Sequence, residues 1–125
     1  MIPSAQQIDL FRAVEDIHEL TAAVVVLLTD RDGASVAVAG DEDELPPPLR
    51  AVLGGENLAR AGSVRALLEP IGDALSQYPL NVSLFPVAES HLLAITFDVE
   101  ASLETVQTVG REGAQMIAEI LRSAS

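Results

Sequence analysis

The sequence predicts an α+β fold, a five-stranded antiparallel sheet flanked by three helices in the order α-β-β-α-β-β-β-α. Two observations point there. Apolar residues recur at helical spacing near both ends of the chain, while short β-branched runs lie between. Those runs are joined by turn-forming connections too short for a parallel crossover, which makes the sheet antiparallel. At 125 residues the chain is one domain, 1–125, because single cores typically hold about 100–150 residues.

Ser4-Ala5-Gln6-Gln7 reads as a capping box, with the Ser4 hydroxyl free for the third helical amide and Gln7 reaching back. Ile8, Phe11, Val14 and Ile17 follow at helical spacing, so a helix should run from about Ala5 to Leu20. Ala22–Leu28 is β-branched at its middle and too short for a buried helix; it reads as a central strand. After Asp30-Arg31-Asp32-Gly33 comes a second strand, Ser35–Ala39.

The charged segment beginning at Gly40 ends in three prolines, which are tolerated best in the first turn of a helix. A second helix over about Pro47–Arg60 would carry Leu49, Val52 and Leu53. Gly54-Gly55 within it is costly, about 1 kcal/mol each against alanine. It marks either a helix break or a close approach of another backbone. Between Ser63 and Pro79 the helical spacing of Leu67, Leu68, Ile71 and Leu75 is interrupted by Pro70 and Gly72. A helical turn or two should give way there to a short strand near Asp73–Tyr78. Asn81–Val87 and Leu92–Asp98, joined by Ala88-Glu89-Ser90, make a hairpin. Ser102 caps a final helix to about Arg122, with Leu103, Val106, Val109, Met116, Ile117, Ile120 and Leu121 on its apolar side.

Composition removes several function classes. A net charge of −12 argues against nucleic acid and anionic membranes, both of which reward cationic patches. All seven cations are arginines, so Walker-type loops, Ser–Lys hydrolases and Schiff-base chemistry lack their ammonium. No cysteine is present, which excludes disulfides and thiolate metal sites. The longest apolar run, Ala22–Leu28, is far too short to insert in a membrane. The first residues show no basic-then-apolar leader, and the chain is expected to be cytoplasmic. Apolar residues make up 49% of a strongly acidic chain; the surplus should meet another chain, so an oligomer is expected.

No residue set carries catalysis, a metal or a cofactor, and all three are expected to be absent. A calcium loop starting at Asp30 would place Ala34, Ser35 and Asp41 at its fifth, sixth and twelfth positions, where an oxygen ligand, glycine and glutamate are needed. The Asp30–Gly33 stretch is therefore a hairpin corner. Glu15-x-x-His18 is a single carboxylate–imidazole pair where bundle metal sites need several, and His91 opens a strand. Neither G-x-S-x-G nor G-x-G-x-x-G occurs. Asp41–Glu44 reads as a solvated acidic loop. Gly110 and Gly113 inside the final helix are expensive, and they imply close packing against the first helix or the sheet, contact with a partner chain, or tolerated irregularity.

The element order, with VVLLTDRDGASVA after an N-terminal helix, resembles the Roadblock/dynein-light-chain family. PPPLRAVLGG looks like the opening of the second helix in its bacterial motility-polarity branch, the MglB/MglC type, and SLFPVAESHLLAITFD with the final helix completes the likeness. The resemblance implies a homodimer joined edge to edge through the middle strands, with the second helices side by side. Its interface would comprise Leu49, Val52, Leu53, Gly54, Gly55, Asp73, Leu75, Gln77 and Tyr78. It further implies a non-enzymatic adaptor or regulator in a Ras-like GTPase polarity or motility system. Its partners would be the GTPase, another Roadblock protein or a polarity regulator. A GTPase-activating protein is the rival within the fold; a small-ligand sensor is the rival from another class, disfavoured by scarce aromatic lining.

Overall fold

The computed structural model describes residues 4–30, 35–44, 47, 72–73, 78–88 and 90–123. Among these, α1 spans Ser4–Thr21, β1 Val25–Asp30, β2 Ser35–Gly40, β3 Asn81–Val87, β4 His91–Phe97 and α2 Leu103–Arg122, with a 3₁₀ turn over Glu42–Glu44. The four strands form one antiparallel sheet in the order β2-β1-β4-β3. The architecture is α+β with an antiparallel sheet, as expected.

β1 and β4 are the inner strands, and their sequences show why. Val25–Thr29 and Leu92–Phe97 are buried at every position, alternating between two covered faces. Val26 and Leu28, with Leu93, Ile95 and Phe97, point to the face on which α1 and α2 lie. Val25, Leu27, Leu92 and Ala94 are buried on the other. A strand covered on both sides reads as a continuous apolar run rather than an alternating one.

The strand expected from Ala22 starts only at Val25, because Ala22 takes a left-handed backbone (φ 55°) and turns the chain out of α1. The Thr21 hydroxyl donates back to the Ile17 carbonyl four residues earlier at 2.6 Å, a local side-chain bond in the last turn of α1. At the far end of β2, Gly40 has φ 94°, and a Cβ there would strike the Val24 carbonyl oxygen. Only glycine fits that crossing of β2 over the start of β1.

Two helix faces differ from the expected ones. In α1 the buried apolar positions are Leu10, Ala13, Val14 and Ile17, whereas Ile8 and Phe11 are exposed. Val14 and Ile17 fit both registers, and the alanine at 13 decides for the observed one, since its small side chain lets α1 sit close. In α2, Val106 and Ile117 are buried and Val109, Ile120 and Leu121 pack against the core as expected, but Leu103 and Met116 are exposed, and Gly110, Gly113 and Ala114 occupy the inner face. The helix begins at Ser4, one residue before the expected start. The Gln7 amide donates to the Val36 carbonyl of β2 at 2.8 Å instead of reaching back. Ser102 does cap α2, accepting from the Thr105 amide.

The middle of the chain is only partly described. Pro47, the start of the expected second helix, is helical; the rest of Pro47–Arg60 lies outside the described residues. Gly72 and Asp73 are helical and Tyr78 and Pro79 form a bend, so the expected strand over Asp73–Tyr78 does not hold its two end residues. Pro79 has no amide to donate to a ladder, and aspartate is a poor strand former. The strand-forming signal resumes at Asn81.

Candidate functional site

Of the nine residues assigned to a dimer interface, Asp73 and Tyr78 are described, and both are solvent-exposed. Leu49, Val52, Leu53, Gly54, Gly55, Leu75 and Gln77 lie outside the described residues. The structure therefore brings no pair of these nine together among the residues it describes.

The Asp30–Gly33 corner joins β1 to β2, which pair antiparallel with Thr29 opposite Ser35. Strands, not helices, flank it, so the connection is that of a hairpin. Residues 31–34 themselves lie outside the described residues. Asp41 organises the following acidic turn: its side chain accepts the Asp43 amide at 2.9 Å and its carbonyl accepts the Glu44 amide at 3.0 Å. Asp98 repeats the device before α2, accepting the Glu100 amide on its carboxylate and the Ala101 amide on its carbonyl. Both are aspartate turns. Among the described residues no cluster of three or more potential metal ligands occurs.

His91 stands at the first position of β4, directly across from Asp30. Its Nδ1 shares a 2.7 Å hydrogen bond with the Ser90 hydroxyl. Burial pushes its pKa below the usual 6.5, and the Asp30 carboxylate offsets part of that shift. A serine in a nucleophilic triad bonds Nε2 and leaves Nδ1 to the carboxylate; here Ser90 holds Nδ1. His18 is half-buried on α1, with its Nε2 3.1 Å from where a Gly40 Cβ would sit. It is packed against the end of β2.

Among the described residues a groove of about 250 Å³ lies between the end of β3 and the middle of α2. Phe85, Pro86 and Ala88 form one wall; Arg111, Ala114, Gln115 and Ala118 form the other. The wall spacing comes from Gly110, whose missing side chain admits the Phe85 ring: a Cβ there would fall 2.5 Å from the Phe85 Cζ and 3.1 Å from the Ile95 Cδ1. Gly113 plays the same part toward α1, where a Cβ would fall 2.5 Å from the Ile17 Cδ1. Of the alternatives for this pair of glycines, close packing holds, against the sheet at one and the first helix at the other. The groove was not singled out from the sequence. The signal was present, since Gly110, Gly113, Ala114 and Ala118 make a small-residue stripe on one helix, but nothing in one sequence says what lies opposite.

Comparison with solved structures places this arrangement. The gliding protein MglB from Thermus thermophilus superposes with a TM-score of 0.75, at 23% identity, covering 99% of this chain and 96% of that one. The fold is that of MglB. An MglB structure described as having a tetrameric arrangement gives 0.71 at 24% identity, over 100% of this chain and 96% of its own. Myxococcus xanthus MglB gives 0.69 at 15% identity, with the same coverage. No family model and no curated protein matches the sequence. At these identities the likeness to MglB is one of backbone fold alone. Among the described residues no helix is long and apolar enough to cross a membrane.

Proposed function

We propose that this chain is a dimeric, non-enzymatic Roadblock-type adaptor or regulator in a small Ras-like GTPase system of cell polarity or gliding motility. The observation that supports the reading is the MglB likeness, which runs over nearly the full length of both chains rather than over one motif. MglB is a gliding protein, and one of its structures is tetrameric; self-association here accords with an acidic chain that is 49% apolar. The mechanism is surface presentation: a rigid sheet with helices on it offers fixed patches to partners, and the net charge of −12 favours basic ones.

The same fold supports a second reading, a GTPase-activating protein, in which this surface repositions the GTPase's own residues. GTP turnover by the Ras-like polarity GTPase of the same genome, titrated with this chain, separates the two. No acceleration is expected for the adaptor; a large, saturable acceleration makes it an activator. Size-exclusion light scattering should give about twice the chain mass, and a monomer at micromolar concentration would contradict the dimer. The adaptor is expected to sit in the cytoplasm, with the GTPase, another Roadblock protein or a polarity regulator as partner and with no cofactor.

A further inference from the structure

We infer that the groove between β3 and α2 is a docking site for a protein segment that presents an aliphatic side chain next to a carboxylate. Its floor and walls are apolar: Phe85, Pro86, Ala88, Ala114 and Ala118. Its volume, about 250 Å³, lies below the roughly 300–1,000 Å³ of sites that enclose a small molecule. It suits one or two side chains from a larger partner. Pro86 has no amide to offer, so at that position the wall contributes only side-chain contact.

Charge fixes the rest of the chemistry. The chain carries nineteen carboxylates against seven arginines, yet Arg111, exposed on the groove wall, has no hydrogen bond or ion pair among the described residues. Its helical neighbours three and four residues away are Gln107, Thr108, Ala114 and Gln115, none of them acidic. The groove wall thus holds a guanidinium with no partner among the described residues, beside an apolar cleft, in a chain whose net charge is −12. A guanidinium in that setting pairs with a carboxylate, in two parallel hydrogen bonds where geometry allows. The general acidity repels partners with more negative charge than that one contact uses. This docking chemistry is independent of the GTPase reading, because it requires only a segment of the stated kind.

The test is amide chemical-shift titration of the full chain with an acetylated, amidated hexapeptide bearing Leu-Glu at its centre. Leu-Lys and Ser-Glu versions serve as controls. Saturable shifts confined to Phe85–Ala88 and Arg111–Ala118 are expected, with a Kd of roughly 0.1–1 mM for so small a contact. Arg111→Glu, an exposed helical change that leaves the fold intact, should weaken the Leu-Glu peptide about tenfold and gain the Leu-Lys peptide. Absence of saturation at several millimolar, an equal response to Leu-Lys, or shifts spread over other elements would overturn the assignment. A changed mass by light scattering for Arg111→Glu would overturn it too, since the groove would then be covered by a second copy. Failure of the GTP-turnover experiment would leave the peptide result untouched, so the two proposals fall separately.

Discussion

Helix α1 turns Leu10, Ala13, Val14 and Ile17 inward, whereas α2 turns Val106, Gly110, Gly113, Ala114 and Ile117. One helix fills its contact with side chains; the other makes room for the side chains of its neighbours. Ile17 of α1 enters the gap at Gly113 and Phe85 of β3 enters the gap at Gly110. The two contacts are not equivalent. Ile17 is enclosed at 1% exposure, while Phe85 is half-buried and lines the open groove. The Gly113 contact is therefore rigid, and the Gly110 contact has a route of relaxation outward.

The largest test of that difference removes the side chain that α1 contributes. Ile17→Ala should lower unfolding stability by about 3 kcal/mol, because a fully enclosed isoleucine leaves a cavity that neither helix can close. Urea denaturation measures it, and a loss below about 1 kcal/mol would mean that the helices collapse onto the gap. Filling the gap from the α2 side comes next. Gly113→Ala gains about 1 kcal/mol of helix propensity, but its Cβ falls 2.5 Å from the Ile17 Cδ1 and 2.9 Å from Cγ1. Overpacking of about 1–3 kcal/mol should win, for a net loss near 1 kcal/mol. Trimming the partner then tests the cause: Ile17→Val removes the Cδ1, and in the Gly113→Ala background it should cost about 1 kcal/mol less than in the native chain. Additivity of the two changes would rule out the contact as the origin of the loss.

The seam between the helices is also tied by polar contacts, and here smaller effects are expected. The Gln6 amide of α1 donates to the Ile120 carbonyl in the last turn of α2 at 2.7 Å. Gln6→Leu should cost only about 0.5–1 kcal/mol, because that carbonyl keeps the Ser123 hydroxyl at 3.0 Å as a second donor. A loss above about 2 kcal/mol in urea denaturation would show that the α1–α2 contact depends on this one bond.

The same contrast explains which parts of the fold could be read from the sequence. The inner strands were legible because burial on both faces demands an unbroken apolar run, and Val25–Leu28 and Leu92–Ile95 supply one. The α2 start was legible because Ser102 is followed at once by helix formers. The helix faces were read only in part, because large apolar residues were counted and small ones were not: Ile8, Phe11, Leu103 and Met116 are exposed, while Ala13, Gly110, Gly113 and Ala114 are interior. Space is set by what a residue lacks as much as by what it carries, and a periodicity of large side chains cannot record that. The groove stayed invisible for a related reason. Its walls come from positions 85–88 and 111–118, which only the pairing of β3 with β4 and the docking of α2 bring together.

Acidity provides the final contrast, between the helix-covered interior and the strand ends. No ionisable side chain is buried among the described residues, so the seam between α1 and α2 should be indifferent to pH. The response should arise instead at His91, at the open end of β4, whose pKa is lowered by burial against the partial compensation of Asp30. The folded state thus binds this proton more weakly than the unfolded chain, whose imidazole titrates near 6.5. The stabilisation is present in full above that value and is lost as pH falls below 6.5 and through the lower folded-state pKa. His91→Gln, which keeps a polar side chain without the titration, should flatten that part of the stability profile between pH 7 and 5. The effect should be modest, because the ring is only half-buried and water screens it. An unchanged slope would place the titrating group elsewhere, and a steeper one would mean that Asp30 outweighs burial and holds the imidazole in its charged form.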